Sequence, residues 1–391
     1  MRFAICSTNC SADRAVLAAV ALAVAWLGAA PLAALAADGS RVAVFPPVNR
    51  TGRTIPAEQV QAALEASLSA RGFSPLPRAE LDEFFQRHRL RHMGGISAGM
   101  AQAIGVETGV DGVLLTSVDD WEEVDPPRVA LTSRWVAALP DAPLRRMGSS
   151  SHHGQEHPGA FGLGLVTSPD ILLARASEEI ATALSGSVAA GDVEPRSGVP
   201  RAFRPGSFSV DPDWATVATS GRPLRVAVLP FIAEPPRREV GEVIASQLVR
   251  WLLDSGLVEV VEPGVIREAL LEARVIQEDG PSLPQVDALR ALLDVDLVVS
   301  GRVTDFEATG SSPGSPFVGF STRGIDVRTR QAVWSSFSFG RGDERGGPFG
   351  VGRIRSSITL TSELARGVVT ALDDELRTRR PRAAGEKEDT R

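Results

Sequence analysis

The chain repeats itself, and that limits what it can fold into more than any other feature. Arg41-Val42-Ala43-Val44-Phe45-Pro46 returns 184 residues later as Arg225-Val226-Ala227-Val228-Leu229-Pro230. Val110-Asp111 with Asp120-Trp121-Glu122 returns as Val295-Asp296 with Asp305-Phe306-Glu307, and Phe161-Gly162-Leu163-Gly164 as Phe349-Gly350-Val351-Gly352. Separate matches at a nearly constant offset define a tandem duplication, so one supersecondary plan must account for both halves.

Ahead of the first copy, Ala15 to Ala36 is apolar, follows Arg2 and Arg14, and closes on Ala34-Leu35-Ala36, the small-residue pattern of a signal peptidase site. Residues 1–37 are therefore read as a signal peptide, with an uncleaved anchor as the alternative, since a run of that length can span a bilayer. Cys6 and Cys10 both lie in this segment, so the exported chain would carry no thiol, disulfide or cysteine-ligated metal. The formal net charge of −7 and the lack of tyrosine argue against nucleic acid as a partner, because phosphate contacts need a basic face and single strands need aromatic platforms.

Each copy shows the same order of patterns. A short apolar run, Val42 to Phe45 or Val226 to Leu229, reads as a buried strand. An amphipathic helix follows, with Val60, Leu64 and Leu68 matched by Ile244, Leu248 and Leu252, and Gly72 or Gly256 closes it. A second helix carries Leu81, Phe84, Phe85 and His88, or Ile266, Leu270 and Ala273; a third opens at Ser97 or Pro284, with Ser97 as its N-cap. A strand at Val295 to Val303 leads to a hairpin with arms at Phe317 to Val327 and Ala332 to Phe339. In the second arm Phe337 and Phe339 alternate with Trp334, Ser336 and Ser338, as in a half-buried strand. A last helix runs through Leu360, Leu364, Val368, Leu372 and Leu376, mirrored by Leu172, Ala176, Ile180 and Leu184.

The expected class is thus α/β in the sense of an α+β sandwich: two tandem copies of a mixed sheet with helices packed on it, each ending in an antiparallel hairpin and a C-terminal helix. The expected boundaries are 38–184 for the first domain, 185–224 for a Pro/Gly-rich linker in which Trp214 hints at contact with a domain, 225–376 for the second domain, and 377–391 for a charged tail.

Val226 to Phe231, Gly241 to Ser246, Val295 to Val303, and Asp326 to Thr329 leading to Ala332-Val333-Trp334 resemble the envelope domain shared by the curli secretion component CsgG, the penicillin-binding-protein activator LpoB and the N-terminal domain of TolB. In the first copy Pro46 to Gly52 is similar to the start of the activator-type domain, and Arg330 stands where the family hairpin carries Gly. The resemblance implies a periplasmic protein, with outer-membrane association without spanning left open, whose partners are envelope proteins. One scaffold in that family serves pores, activators and accessory proteins, so the resemblance informs fold more than function.

The chemistry-bearing patterns are few. Gly95-Ile96-Ser97-Ala98-Gly99 matches a nucleophile elbow in letters, but helical spacing rather than a strand precedes it. His88 and His92 at i, i+4, and His152, His153 and His157 with Glu156, are the candidate metal ligands, zinc or copper being the ions imidazole suits. All five lie in the first copy, where His88 also continues an apolar stripe, so core-edge and loop histidines are the competing account. Asp119, Asp120, Glu122, Glu123 and Asp125 around Trp121 read as a solvated strand end, calcium being the alternative. The Phe-Gly-x-Gly pair reads as a close approach to the last helix, without the context of a phosphate loop. No constellation pairs a nucleophile with a base in both copies. The reading is a non-enzymatic binding or scaffolding protein without a cofactor, with a curli-type export component and a metal-dependent enzyme using the first-copy histidines as alternatives.

Overall fold

A buried apolar strand flanked by amphipathic helices needs a covered sheet, and the computed structural model of the chain contains one in each copy. It describes residues 39–91, 94–156, 165–186, 203–219, 222–234, 239–275, 280–307, 315–344 and 352–379. The leader at 1–37, His92, His157, Phe161 to Gly164, Phe349 to Val351, residues 187–202 of the linker and the tail after Arg379 lie outside the described residues.

In the first copy β1 (Arg41–Val44) pairs in parallel with β3 (Ser74–Pro75) and β4 (Gly112–Glu122), and β5 (Arg128–Ala137) and β6 (Leu144–His153) extend the sheet antiparallel. A short β2 (Val48–Asn49) joins β4 in parallel. One face, with Val42, Val44, Leu114 and Leu131, packs in a cluster with α1 (Ala57–Ala70) and α4 (Pro169–Ser185). On the opposite face Ala43, Phe45, Val113 and Leu115 share a cluster with α2 (Arg78–His88) and α3 (Ala98–Thr108). Ser97 caps α3, its Oγ accepting from the Met100 backbone N–H.

The second copy repeats the plan: β8 (Leu224–Val228) lies between β9 (Val258–Val260) and β10 (Leu297–Glu307), followed by β11 (Phe317–Asp326) and β12 (Ala332–Arg341). Helices α6 (Glu239–Ser255), α7 (Pro263–Glu272), α8 (Leu283–Leu293) and α9 (Ser357–Arg379) match α1 to α4. Even the irregularities repeat. The β4–β5 ladder shifts between Val118 and Asp120, and the β10–β11 ladder between Val303 and Asp305. Gly72 and Gly256 leave α1 and α6 with φ of 87° and 63°, the left-handed backbone glycine adopts without strain.

The linker and the tail differ from the sequence expectation, which leaves open the covered side of β12 and the turn at Arg330. Within the segment read as a linker, β7 (Ser207–Val210) pairs with the free edge of β12, and α5 (Pro212–Ala218) buries Trp214. Prolines at 205 and 212 flank that strand rather than interrupt it, which an edge position tolerates. The tail begins later than Arg377, because α9 runs on to Arg379 with Asp373–Arg377 and Glu375–Arg379 pairs one turn apart. In β12 the covered side is the one with Trp334, Ser336 and Ser338, whereas Phe337 and Phe339 are 37% and 48% exposed. The small residues let α9 close down: a Cβ at Gly340 would lie 3.1 Å from the Phe203 ring and 3.4 Å from Leu364. Finally, Arg330 takes φ 59° in the hairpin turn, where its guanidinium donates to both Asp287 oxygens at 3.0 and 3.1 Å.

The copies do not stand apart. Residues 37–391 form one compact unit, and the cluster holding Phe45, Phe84 and Ile104 runs on into the core of the second copy. A third cluster joins Ala130 of β5 to Val243 of α6 and Ile358 of α9. This predicts that a chain cut by a protease at a site engineered near Gly191 keeps both pieces together. The fragments should co-elute in native size exclusion and separate only in denaturant; two independently eluting fragments would show that the copies fold without docking.

Candidate functional site

Sheet alternation places Ser117, Thr132, Arg134 and Ser149 on one side of β4, β5 and β6, a polar surface on the face that also carries Ala43, Phe45, Val113 and Leu115. It is covered by the second copy. Gln247 of α6 donates from Nε2 to Thr132 Oγ1 at 3.1 Å and to Ser149 Oγ at 3.0 Å. Ser151 Oγ and Ser356 Oγ meet at 2.6 Å farther along.

Arg50, just after β2, is the hub. Its side chain is 6% exposed and donates to Glu242 at 3.0 Å, to Ser246 at 3.0 Å and to Ser117 at 3.1 Å, with Asp119 at 3.7 Å. Asp119 in turn accepts from Ser117 at 2.8 Å and Thr132 at 2.6 Å. Burial pushes the Asp119 carboxyl above its usual range, with Arg50, Thr132 and Ser117 pulling it back. The acidic strand end is thus not solvated throughout. Asp119 follows Ser117 by ordinary alternation onto the covered side, while beyond the irregularity Asp120 pairs with Arg128, and Glu122 with Arg53 and Arg128.

A second contact sits beside it. Arg134 donates to the Gly94 carbonyl at 2.7 Å and lies 3.3 Å from Glu262, whose carboxylate also caps α7 by accepting from Gly264 N–H. Here Gly95 meets Gly264 backbone to backbone: a Cβ on Gly264 would lie 2.3 Å from Ile96 N, and one on Gly95 2.7 Å from Gly264 Cα. Gly95 therefore serves docking of the copies, and Ser97 a helix cap, rather than a nucleophile elbow. Between the two contacts is a cavity of 380 Å³ with Arg50 and Arg134 on one wall and Leu229, Val249, Ile266 and Leu270 on the other.

The histidines fall elsewhere. His88 Nε2 lies 2.6 Å from Glu107, with its ring against Phe84 at 4.3 Å. His152 sits between two carboxylates, Nδ1 at 3.1 Å from Glu156 and Nε2 at 3.3 Å from Glu179. Its two nitrogens face different acids, the geometry of an imidazolium clamp between β6 and α4 rather than of one ion held by all three groups. Burial opposes the charge, but Glu156 and Glu179 outweigh it and raise the His152 pKa to about 9. Next to it, burial together with Arg128 and Arg355 lowers that of His153. Among the described residues no group of three His, Cys, Asp or Glu side chains is arranged to hold a metal ion.

Of the residues that converge, Asp119 was read from the sequence as part of a solvated strand end, and Arg50, Arg134, Gln247 and Glu262 were given no role. The available signal was that β5 and β6 are polar on both sides of their alternation, which a strand covered on both faces needs a partner to satisfy.

No family model matches the chain, and no curated protein matches it. Solved structures are similar over part of its length. A PelC dodecamer from Paraburkholderia phytofirmans is 19% identical over 42% of this chain and 94% of its own, TM-score 0.30. Lipoprotein GNA1162 from Neisseria meningitidis is 22% identical over 32% and 88%, TM-score 0.27, and the LpoB C-terminal domain from Salmonella enterica 20% identical over 34% and 93%, TM-score 0.26.

Two outcomes are expected. Arg50→Met strands the Asp119 carboxylate without its counter-charge and should lower unfolding free energy by about 3–5 kcal/mol in urea titrations, with Asp119→Asn added to it restoring part of the loss. For His152, the folded pKa lies above the ordinary 6.5, so its stabilisation is complete below pH 6.5 and is lost as pH rises to about 9. The melting temperature of the parent should fall across that window relative to His152→Asn, and parallel pH profiles would remove the clamp from the account.

Proposed function

We propose that the chain is a non-enzymatic protein of the bacterial cell envelope that acts as a rigid two-copy scaffold for envelope proteins. One observation carries this reading. The polar side chains that converge are engaged with one another, Arg50 with Asp119 within the first copy, and across the junction Arg50 with Glu242, Gln247 with Thr132 and Ser149, and Arg134 with Glu262. Such a set fixes the relative placement of two domains and leaves no base free to activate a nucleophile or water. The apolar leader ending in Ala34-Leu35-Ala36 supports export. No helix among the described residues is long and apolar enough to cross a membrane.

Tagged chain expressed in a bacterial host should be recovered in the periplasmic or envelope fraction with a new N-terminus near Ala37 by mass spectrometry. A photoreactive amino acid at an exposed position such as Arg290 of α8 should give adducts with envelope proteins in intact cells. Cytoplasmic protein with an intact Met1 would overturn the reading.

A further inference from the structure

The junction between the two copies is itself half of a repeat, because among the described residues only one of the two equivalent sheet faces is covered. In the first copy the face of β5 and β6 carrying Ala130, Thr132 and Ser149 receives α6 and α9 of the second. Strand register puts Gly319, Ser321 and Phe337 at the same three places in the second copy: Thr132 opposes Ser149 as Ser321 opposes Phe337. There the face is open, with Arg302, Arg323 and Ser335 exposed along with Phe337, and a groove of 580 Å³ along it. Conversely α1 and α4, the counterparts of α6 and α9, have their outer sides uncovered, with Glu58, Gln59, Ala62 and Asp170 exposed and Ile171 48% exposed.

We propose that the open sheet face of the second copy takes α1 and α4 of another molecule of this chain, repeating head to tail the junction already present within it. Two reciprocal changes between the copies favour that occupant. The first is size. In the internal junction a long side chain on the helix, Gln247, reaches two small ones on the sheet, Thr132 and Ser149. In the proposed junction the long side chain is on the sheet, Phe337, and the helix position equivalent to Gln247 is Ala63, with Ala62 beside it. The second is charge. Internally Glu242 on the helix meets Arg50, which lies over Ser117. Glu58 occupies the place of Glu242, and the arginine now sits in the sheet, because Arg302 stands at the register of Ser117, opposite Ser321 as Ser117 is opposite Thr132. A glutamate again meets an arginine across the contact.

The contact is heterologous: the surface used by one molecule differs from the surface used by its neighbour, so assembly continues beyond two molecules into a ring or a filament. It goes beyond the scaffold reading and is independent of it, since self-association is read on purified protein and location in cells. The test uses residues 37–391 in size exclusion with light scattering, alongside Phe337→Arg, which blocks the sheet face, and Ala62→Arg, which blocks the helix face and sets a second positive charge beside Arg302. Both positions are exposed, and circular dichroism and urea unfolding identical to the parent establish that each variant is folded. The parent should exceed twice the monomer mass as concentration rises, each variant alone should remain a monomer, and the two mixed should give a one-to-one dimer and nothing larger, because one intact face of each kind is then present. A parent that stays monomeric at its solubility limit would overturn the proposal. So would a variant that alone keeps the parent's mass, as a two-fold contact allows, or a mixture that stays monomeric.

Discussion

The polar face of β5 and β6 constrains the rest of the molecule. A sheet strand that buries Thr132, Arg134 and Ser149 must supply partners for them, and water is excluded once the apolar clusters close. Helix α6 meets that demand with Gln247, Ser246 and Glu242 on one side while its other side carries Ile244, Leu248 and Leu252 in the core of its own sheet. One helix is thus the floor of the second copy and the roof of the first. The apolar clusters supply most of the driving force, in proportion to area and without direction. A buried ion pair such as Arg50 with Asp119 adds little net stability against well-packed apolar residues, because desolvation offsets its attraction. The effect on placement comes from the bonds that reach α6: a slide of that helix by one turn would part Gln247 from Thr132 and Ser149, and Arg50 from Glu242 and Ser246.

Duplication explains why the two halves share register and shape, and divergence explains why they are not interchangeable. The shared irregularity after Val118 and after Val303 points one extra residue of each strand to the face in question. In the first copy that residue is Asp119, held by three donors; in the second it is Thr304, which is exposed. The Gly95 to Gly264 approach is likewise specific to the internal junction. The position matching Gly264 in α2 is Ala79, whose Cβ would not fit where Gly264 lies against Ile96. Within the chain the roles are therefore fixed, the first copy receiving helices at the internal junction and the second providing them.

The element order was legible because it rests on local signals. Val60, Leu64 and Leu68 state a helix by their spacing, Ser97 states its start, and Gly72 and Gly256 state ends. What alternation cannot state is which side will be covered. In β12 the phenylalanines lie on the exposed side, because α9 needs small residues for close approach more than the strand needs to hide its aromatics. Asp119 was read as solvated with its acidic neighbours for a related reason, since alternation puts it beside Ser117 without stating that another domain covers that side. β7 was hidden by its prolines, which mark loops and tolerated edge strands alike. The junction residues come from positions 50, 119, 134, 247 and 262, and nothing in their local sequence brings them together; only docking does.

The cavity beside the junction follows from the same arrangement. Arg50 and Arg134 on its first-copy wall already face carboxylates, Arg50 toward Asp119 and Glu242, and Arg134 toward Glu262. At these two arginines an incoming anion would compete with Asp119 and Glu262, which are fully buried, and this raises the cost of displacing them. The second copy lines it with Leu229, Val249, Ile266 and Leu270, together with Ser246 and Arg267. Because Arg50 and Arg134 belong to one copy and the aliphatic wall to the other, the cavity has its shape only while the copies are docked. Anything that fills it contacts both, and so shifts the docking equilibrium by its differential affinity for the docked state.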